Sequence, residues 1–328
     1  MDREQIQRIV AACGIAAGEL VLVHYWGEEA HLPIARDFMT AVAALGASPV
    51  LLQQSRSQNR SLFSCAQAPC FGPAYFEQFS HFDTVLDLFA CQPIVLGSSL
   101  PEPQMTLYRN YIAGLFGALM KARRFVQLRL PTAENAAEAG VPDYIERLEA
   151  AYSADFAALR TRCQEARATL EGHDRLTLRT GADCALHFDL TGRSWLIDAG
   201  DGDWPCGEIY IAPRETATAG TVWFPALFME DVGHFTDVTL TVEGGRIVDS
   251  SAPALRDFLR QQPQENRVVC ELGLGMNPEV RSLCGCAALD EKMAGTFHIA
   301  LGANTMFGGQ NEARIHTDLV GTGPFTLQ

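Results

Sequence analysis

The chain has 328 residues, of which 48% are hydrophobic and 20% are charged, and its formal net charge at pH 7 is −14. This length suits two domains or one large domain with a fully buried core, and the composition is that of a soluble globular protein. The negative charge argues against nucleic acid and against an anionic membrane surface as partners, because basic residues are needed to bind phosphate groups.

The amino terminus has neither the basic nor the apolar segment of a secretory signal, since residues 1–14 begin with charges of both signs and continue in a helical pattern. The longest nearly apolar run, residues 111–120, is too short to cross a bilayer. The 10 cysteines are scattered among apolar neighbours, which favours buried free thiols over a disulfide framework. We therefore expect a cytoplasmic protein.

Helix and strand patterns alternate in the amino-terminal half. A first helix ends at Gly14, and the apolar run over residues 20–25 indicates a buried strand. A helix over residues 33–45 and a strand over residues 49–52 complete a βαβ unit, which implies a parallel sheet with a right-handed crossover. Residues 82–97 indicate a further helix-to-strand step in the same sheet.

The pattern changes in the second half of the chain. One long helix is predicted from Ile145 to Cys163 and ends by Gly172; its length suits a connector between two domains. Alternating apolar and polar residues then predict strands, with a hairpin turn at residues 243–245. The predicted fold class is α/β, with an amino-terminal doubly wound parallel-sheet domain over residues 1–172. A β-rich, α+β metal-binding domain over residues 173–328 follows it.

Residues of the types that bind metal ions are concentrated near the carboxyl end, at Glu271, Glu291, His298, His316 and Asp318. If residues 315–320 form a strand, as their apolar alternation indicates, His316 and Asp318 point to the same face. Imidazole and carboxylate groups bind zinc, manganese, cobalt or iron(II). The sequence therefore predicts a metalloenzyme.

Four segments in this order resemble the aminopeptidase T family of metallo-aminopeptidases: WPCGEIYIAPRETATAGTVWF, CELGLGMNP, DEKMAGTFHIALG and ARIHTDLV. The resemblance covers most of the chain and implies two divalent ions, zinc, cobalt or manganese, held by Glu, His and Asp side chains. It matches Glu208 to the first glutamate of the family and Glu271 to the glutamate that bridges the ions. Glu291 resembles the glutamate ahead of the metal-binding histidine. The remaining matches are His298 to that histidine, and His316 and Asp318 to the terminal His-x-Asp pair.

The resemblance implies hydrolysis of a peptide or a related amide, with removal of an amino-terminal residue. Glu208 or Glu271 would take the proton of a metal-activated water molecule. A homodimer is also implied, in which the amino-terminal domain of one subunit helps to enclose a site. The family places a tyrosine seven residues after the histidine, whereas this chain has Thr305, which lacks a phenol.

Two alternatives remain open. A branch of the same superfamily is similar to 2,5-dihydroxypyridine 5,6-dioxygenase, which holds a single iron(II) with two histidines and one aspartate. His298, His316 and Asp318 are able to supply such a triad. The second alternative is a metal-free binding protein on the same fold, which the missing tyrosine favours. The retained Glu208 and Glu271 favour a hydrolytic site with two ions over one iron. Retention of all six potential ligands argues against the metal-free protein, because unpaired buried carboxylates are costly without an ion.

Overall fold

The structure is a computed structural model, and it describes residues 1–92, 100–229 and 232–328. The chain divides into two compact units, residues 1–153 with 200–205 and residues 154–199 with 206–328. The helices within the described residues are α1 (Arg3–Ala12), α2 (Leu32–Ala44), α3 (Arg56–Cys65), α4 (Pro73–Glu77), α5 (Glu102–Leu119), α6 (Ala133–Ala139), α7 (Tyr144–Ala151), α8 (Phe156–Leu170), α9 (Pro253–Gln261) and α10 (Ala287–Asp290).

Within the described residues the strands form three sheets, one parallel and two antiparallel. In chain order the strands are β1 (Leu20–Trp26), β2 (Ser48–Gln54), β3 (Thr84–Phe89), β4 (Arg124–Arg129), β5 (Arg175–Thr180), β6 (Cys184–Asp189), β7 (Leu196–Asp198), β8 (Asp203–Trp204), β9 (Glu208–Ile211), β10 (Ala219–Met229), β11 (Gly233–Glu243), β12 (Arg246–Ser250), β13 (Val269–Gly275), β14 (Phe297–Gly302), β15 (His316–Gly321) and β16 (Phe325–Leu327).

The first unit contains a parallel sheet in the order β2-β1-β3-β4-β8. Because β2 and β3 flank β1 on opposite sides, right-handed crossovers place helices on both faces of this sheet. On one face Leu22 of β1 packs in a buried cluster with Phe63 of α3 and with Tyr111 and Leu115 of α5. The predicted βαβ unit and the doubly wound parallel sheet are confirmed.

Two details of the first half differ from the sequence-based expectations. The helix predicted to begin the step over residues 82–97 is wrong, because β3 (Thr84–Phe89) lies there, and residues 93–97 at the end of that step lie outside the described residues. The single long helix predicted from Ile145 to Cys163 is wrong, because the chain leaves the helical path between α7 and α8. The Asp155 carboxylate caps α8 there by accepting hydrogen bonds from the backbone N–H groups of Ala157 and Ala158.

The compact units divide after Ser153, at this same interruption, so α8 lies in the second unit. The sequence-based division places the boundary at residue 172 instead. The two-domain division at that residue stays a prediction.

The second unit is built on two antiparallel sheets. The six-stranded sheet has the order β12-β11-β10-β6-β5-β16, and the five-stranded sheet has the order β15-β14-β13-β9-β7. The predicted hairpin turn joins β11 to β12 at Gly244 and Gly245, whose φ angles of 54° and 78° are both in the left-handed region that glycine adopts readily. The α/β class with a β-rich carboxy-terminal part is confirmed.

Two expectations about the whole chain are also addressed by the structure. Within the described residues, no helix combines the length and the apolar character needed to cross a bilayer. All 10 cysteines are free thiols, as the sequence predicts.

The cap at Asp155 is directly testable. Asp155→Ala removes the acceptor for two N–H groups, so we expect the free energy of unfolding to fall by about 1 kcal/mol in urea titrations followed by circular dichroism. Asp155→Asn retains an acceptor oxygen and serves as the control, with stability close to that of the parent. An alanine variant as stable as the parent would contradict the capping role.

Candidate metal centre

The five-stranded sheet brings predicted ligands from three adjacent strands to one face. Ala300 in β14 lies directly opposite Glu271 in β13 and Asp318 in β15. Residues directly opposite in antiparallel strands share a face, and so do residues two apart in one strand. His298 and His316 therefore point to the same side as these two carboxylates. The small side chain of Ala300 leaves the space between the carboxylates open.

Strand β9 adds a further carboxylate to this face. Glu208 lies opposite Gly275 of β13 on one side and opposite Asp198 of β7 on the other. The face therefore carries acidic groups on four of its five strands, although Asp198 and Asp318 are far apart in the sequence.

Ligand atoms of the predicted residues form two groups, in each of which all the atoms lie within 4.8 Å of one another. One group is Glu208, Glu271 and His298, and the other is Glu271, His316 and Asp318. Glu271 belongs to both, because its two oxygens face different histidines. Its Oε1 is 3.2 Å from Nε2 of His298, and its Oε2 is 3.5 Å from Nε2 of His316.

The donor set fits divalent metal ions. Glu208, Glu271 and His298 are buried, with at most 7% of each residue exposed. Oε2 of Glu208 is buried without a hydrogen-bond donor, 3.3 Å from Nε2 of His298. A carboxylate oxygen in this position is costly unless a cation neutralises it. Imidazole nitrogen and carboxylate oxygen are also the ligands that zinc, cobalt and manganese accept.

Protonation of His298 and His316 compensates part of the negative charge of the neighbouring carboxylates. Burial opposes protonation of His298, but the neighbouring Glu271, Glu208 and Asp318 outweigh it and raise the pKa of His298 to about 9. The pKa of His316 is also raised, by Asp318 and Glu271 against the effect of burial. Metal ions and these protons therefore compete for the same nitrogen atoms.

Lys292 is a site residue that sequence reasoning missed. Only 2% of it is exposed, and its Nζ lies 2.5 Å from Oε1 of Glu208, 2.9 Å from Oε1 of Glu291 and 3.7 Å from Oδ2 of Asp198. A buried ammonium group among three carboxylates is an internal counter-ion for this end of the site. The position of Lys292 directly after Glu291 was the feature of the sequence that could have indicated its place in the site.

Glu291 stands apart from the other predicted ligands. Within the described residues it belongs to neither of the two groups of ligand atoms. Burial raises its pKa, but Lys292 and a hydrogen bond with Asp318 outweigh burial and lower the pKa to about 2. Glu291 is thus a carboxylate beside the centre, and its role as a ligand stays a prediction. The neighbouring Asp290 instead accepts hydrogen bonds from the backbone N–H groups of Cys284 and Gly285.

Gly273 provides the space that His298 occupies. The two residues lie directly opposite each other in β13 and β14, and a Cβ atom on Gly273 would lie 2.0 Å from Nε2 of His298. The imidazole therefore passes over the backbone of β13, where any side chain would block it. Gly273 is visible in the sequence ELGLG. Its role can be recognised only once the fold places His298 on the neighbouring strand.

Position 305 has no phenol, but another tyrosine lies on the ligand face of the sheet. Thr305 lies exposed in a single turn of helix, Thr305–Phe307. Tyr210 of β9, two residues after Glu208, is on the ligand face, opposite Gly273. Burial and then the charges of Glu208, Asp198 and Glu271 raise the pKa of Tyr210, so its phenol stays protonated at neutral pH.

One protein family and two solved structures resemble this chain. The model of the thermophilic metalloprotease family (M29) matches residues 146–325, which is more than half of the chain. No curated protein matches the chain significantly.

Two solved structures resemble the whole chain. The 2,5-dihydroxypyridine dioxygenase from Pseudomonas putida KT2440 has 16% sequence identity and a TM-score of 0.68, over 99% of this chain and 92% of that chain. Wild-type AmpT from Thermus thermophilus has 18% identity and a TM-score of 0.67, over 99% of this chain and 94% of that chain. At these identities the similarity shows a shared fold.

Competition between protons and metal ions gives the first prediction for this centre. Because the pKa of His298 is raised to about 9, its proton must leave when a metal ion binds at neutral pH. Affinity for cobalt(II) should therefore rise between pH 6.5 and pH 8, by about tenfold per pH unit for each proton displaced. Calorimetric titration in buffers of different ionisation enthalpy counts the released protons. An affinity that is constant or falls over this range would contradict the competition.

The second prediction concerns Gly273. Gly273→Ala should displace the imidazole of His298 and weaken cobalt(II) binding by about 10- to 100-fold, as happens when the positioning of a ligand is disturbed. Gly117→Ala is the matched control, because a Cβ atom at Gly117 in α5 meets no atom within 4 Å. The control should bind metal like the parent. Equal metal affinity in both variants would show that His298 does not need the space over Gly273.

Proposed function

Because this chain belongs to the M29 metalloprotease family, we propose that it is a metal-dependent hydrolase that removes the amino-terminal residue of a peptide or a related amide. The observation that carries this proposal is the position of Glu271, whose two oxygens face His298 and His316. A carboxylate shared between two ligand groups is suited to hold two divalent ions at a fixed separation.

The residues available for each ion follow from the two groups. Glu208, Glu271 and His298 would hold one ion, and Glu271, His316 and Asp318 would hold the other. Zinc, cobalt or manganese suits these donors. When bound, such a pair of ions would supply a water molecule that is deprotonated near neutral pH, and positive charge that stabilises the negative charge developing on the carbonyl oxygen of the amide.

Proton transfer is assigned to the chain's own carboxylates. Lys292 holds Oε1 of Glu208, which leaves Oε2 directed towards the centre. We assign to the carboxylate of Glu208, with Glu271 as the alternative, the uptake of the proton of the attacking water and its return to the leaving amine. Lys292 is then a positioning residue, because it fixes the orientation of the Glu208 carboxylate.

The two alternative functions are less well supported. An iron(II) dioxygenase would use His298, His316 and Asp318, but within the described residues these three form no group of ligand atoms within 4.8 Å. A metal-free binding protein would bury several carboxylates with only part of their charge compensated, which is costly. A homodimer and a cytoplasmic location stay predictions that rest on the resemblance and on the sequence.

Metal content and two ligand variants test the proposal together. Protein purified without chelators should contain two zinc, cobalt or manganese ions per chain by mass spectrometry and should release amino-terminal residues from short peptides. His316→Ala and Asp318→Ala should each remove one ion and lower kcat by about 100-fold or more while the circular dichroism spectrum is retained.

His173→Ala and Asp174→Ala are matched controls, because both residues are exposed in the same unit and belong to neither ligand group. Full activity in either ligand variant would refute the assignment. One iron per chain with oxygen consumption on a hydroxylated aromatic would overturn the hydrolase. Absence of metal, with no loss of stability in EDTA, would favour the binding protein.

A further inference from the structure

The two histidines of the candidate metal centre are held in place differently. His298 is buried, whereas 35% of the side chain of His316 is exposed, so packing alone does not fix its ring. Nδ1 of His316 lies 2.9 Å from the carbonyl oxygen of Ala303. Because a carbonyl oxygen only accepts, Nδ1 carries a proton and donates this hydrogen bond. Nε2 is then the nitrogen that can bind an ion, and it faces Glu271 at 3.5 Å and Asp318 at 3.7 Å.

Asn304 holds the carbonyl group of Ala303 in this position. It is completely buried and follows Ala303 in the segment that joins β14 to β15. Its Nδ2 donates hydrogen bonds to Oε1 of Glu215 at 3.2 Å and to the backbone oxygen of Cys270 at 3.1 Å. Its Oδ1 accepts a hydrogen bond from the backbone N–H of Asn311 at 2.8 Å. Both N–H groups and the oxygen of one side-chain amide therefore fix the peptide group that carries this carbonyl.

Glu215 anchors Asn304 within the second unit. Nη2 of Arg193 donates to both oxygens of Glu215 at 2.9 Å, and the backbone N–H of Gln310 donates to Oε1 at 2.7 Å. Burial raises the pKa of Glu215, but backbone hydrogen bonds, the charge of Arg193 and the hydrogen bond from Asn304 outweigh burial and lower the pKa. The carboxylate is therefore ionised at neutral pH. In the part of the chain that the structure describes, it belongs to neither metal-ligand group.

The segment after Asn304 closes over the side chain of that residue and contacts His316 again. The backbone N–H of Gly309 donates to the backbone oxygen of Asn304 at 2.8 Å, and a Cβ atom on Gly309 would overlap the side-chain amide. The ring of Phe307 packs edge-on against the ring of His316, with the centroids 5.7 Å apart. Cys270, which accepts a hydrogen bond from Asn304, places its Sγ 3.7 Å from Nδ1 of His316. Several contacts that orient the imidazole therefore depend on Asn304.

We propose that Asn304 is a positioning residue for the metal ligand His316. It fixes the carbonyl group of Ala303, which keeps a proton on Nδ1 of His316 and directs Nε2 towards Glu271 and Asp318. This inference rests on the proposed function, because His316 is assigned to an ion there. A histidine whose second nitrogen is held by a backbone carbonyl has its orientation set before it binds a metal ion.

Asn304→Asp tests the assignment with little change in volume. The new carboxylate retains an oxygen for the N–H of Asn311, but it lacks both N–H donors and adds a negative charge beside Glu215. In metal-free protein, the Nδ1–H signal of His316 in proton–nitrogen correlation NMR, identified by its loss in His316→Ala, should disappear through exchange with water. The affinity for cobalt(II), measured by calorimetry, should fall by about 10- to 100-fold.

Asn135→Asp is the matched control. Asn135 is a buried asparagine of the first unit, and its Nδ2 donates to the backbone oxygens of Phe89 and Leu130, both at 2.8 Å. The substitution therefore also removes two hydrogen bonds from a buried amide. It should lower the stability in urea titrations, yet it should retain the His316 signal and the cobalt(II) affinity of the parent.

Gly309→Ala reaches the same amide by a second route. The added methyl group should displace the side chain of Asn304 and cause the same two losses, the NMR signal of His316 and the affinity for cobalt(II). Gly117→Ala is its control, since a Cβ atom at that position meets no atom within 4 Å. This variant decides the question if Asn304→Asp does not fold.

The outcomes separate this inference from the proposed function. A parent-like Nδ1–H signal or a parent-like cobalt(II) affinity in folded Asn304→Asp, or in Gly309→Ala if the first variant does not fold, would overturn the positioning role. Equal losses in Asn135→Asp would also overturn it, because general destabilisation would then account for them. In either case, amide hydrolysis by the parent would retain the hydrolase. Losses confined to the Asn304 and Gly309 variants, in a chain that hydrolyses no amide, would support the positioning role and overturn the hydrolase.

Discussion

The concentration of buried negative charge on one face of the five-stranded sheet is the constraint on which the site depends. Glu208, Glu271 and Asp318 lie on adjacent or nearly adjacent strands, and each would be costly to bury alone. Compensation comes from Lys292 at one end and from the protonated His298 within the cluster. Divalent ions held by these ligands would compensate the charge more strongly, and their binding would then stabilise the folded chain.

The sequence predicts those parts of the site that depend on strand periodicity. The alternation around His316 and Asp318 correctly placed both side chains on one face, and the alternation that begins at Glu208 correctly predicted a strand there. Asp198 was missed because β7 has only three residues and too little alternation to be recognised. Lys292 was missed because lysine is nearly always exposed, and only the fold reveals that carboxylates surround it.

The interruption between α7 and α8 shows a second limit of prediction from the sequence. Apolar residues at Leu148, Tyr152, Phe156 and Leu159 continue in phase through the interruption, so their spacing predicts one uninterrupted helix. The decisive signal is local, because Asp155 satisfies N–H groups at the start of α8. The cap at Asp155 therefore outweighs the apolar periodicity and determines where the helix is interrupted.

Fold similarity does not choose between the reactions, since a dioxygenase and AmpT share this architecture to nearly the same degree. The feature that favours the proposed hydrolase is chemical: Glu208 and Glu271 add carboxylates to the two histidines and Asp318. Function in this fold is therefore determined by a few side chains on the sheet and by the walls around them.

The ligand atoms of both groups come from paired strands, and none comes from a flexible loop. A hydrogen-bonded sheet changes its shape little when one ion replaces another of similar size and charge. Selection among first-row metals then follows the intrinsic order of affinities for imidazole and carboxylate and the supply of each metal. The identity of an ion bound here would consequently depend on the concentration of each metal in the cell as much as on the protein.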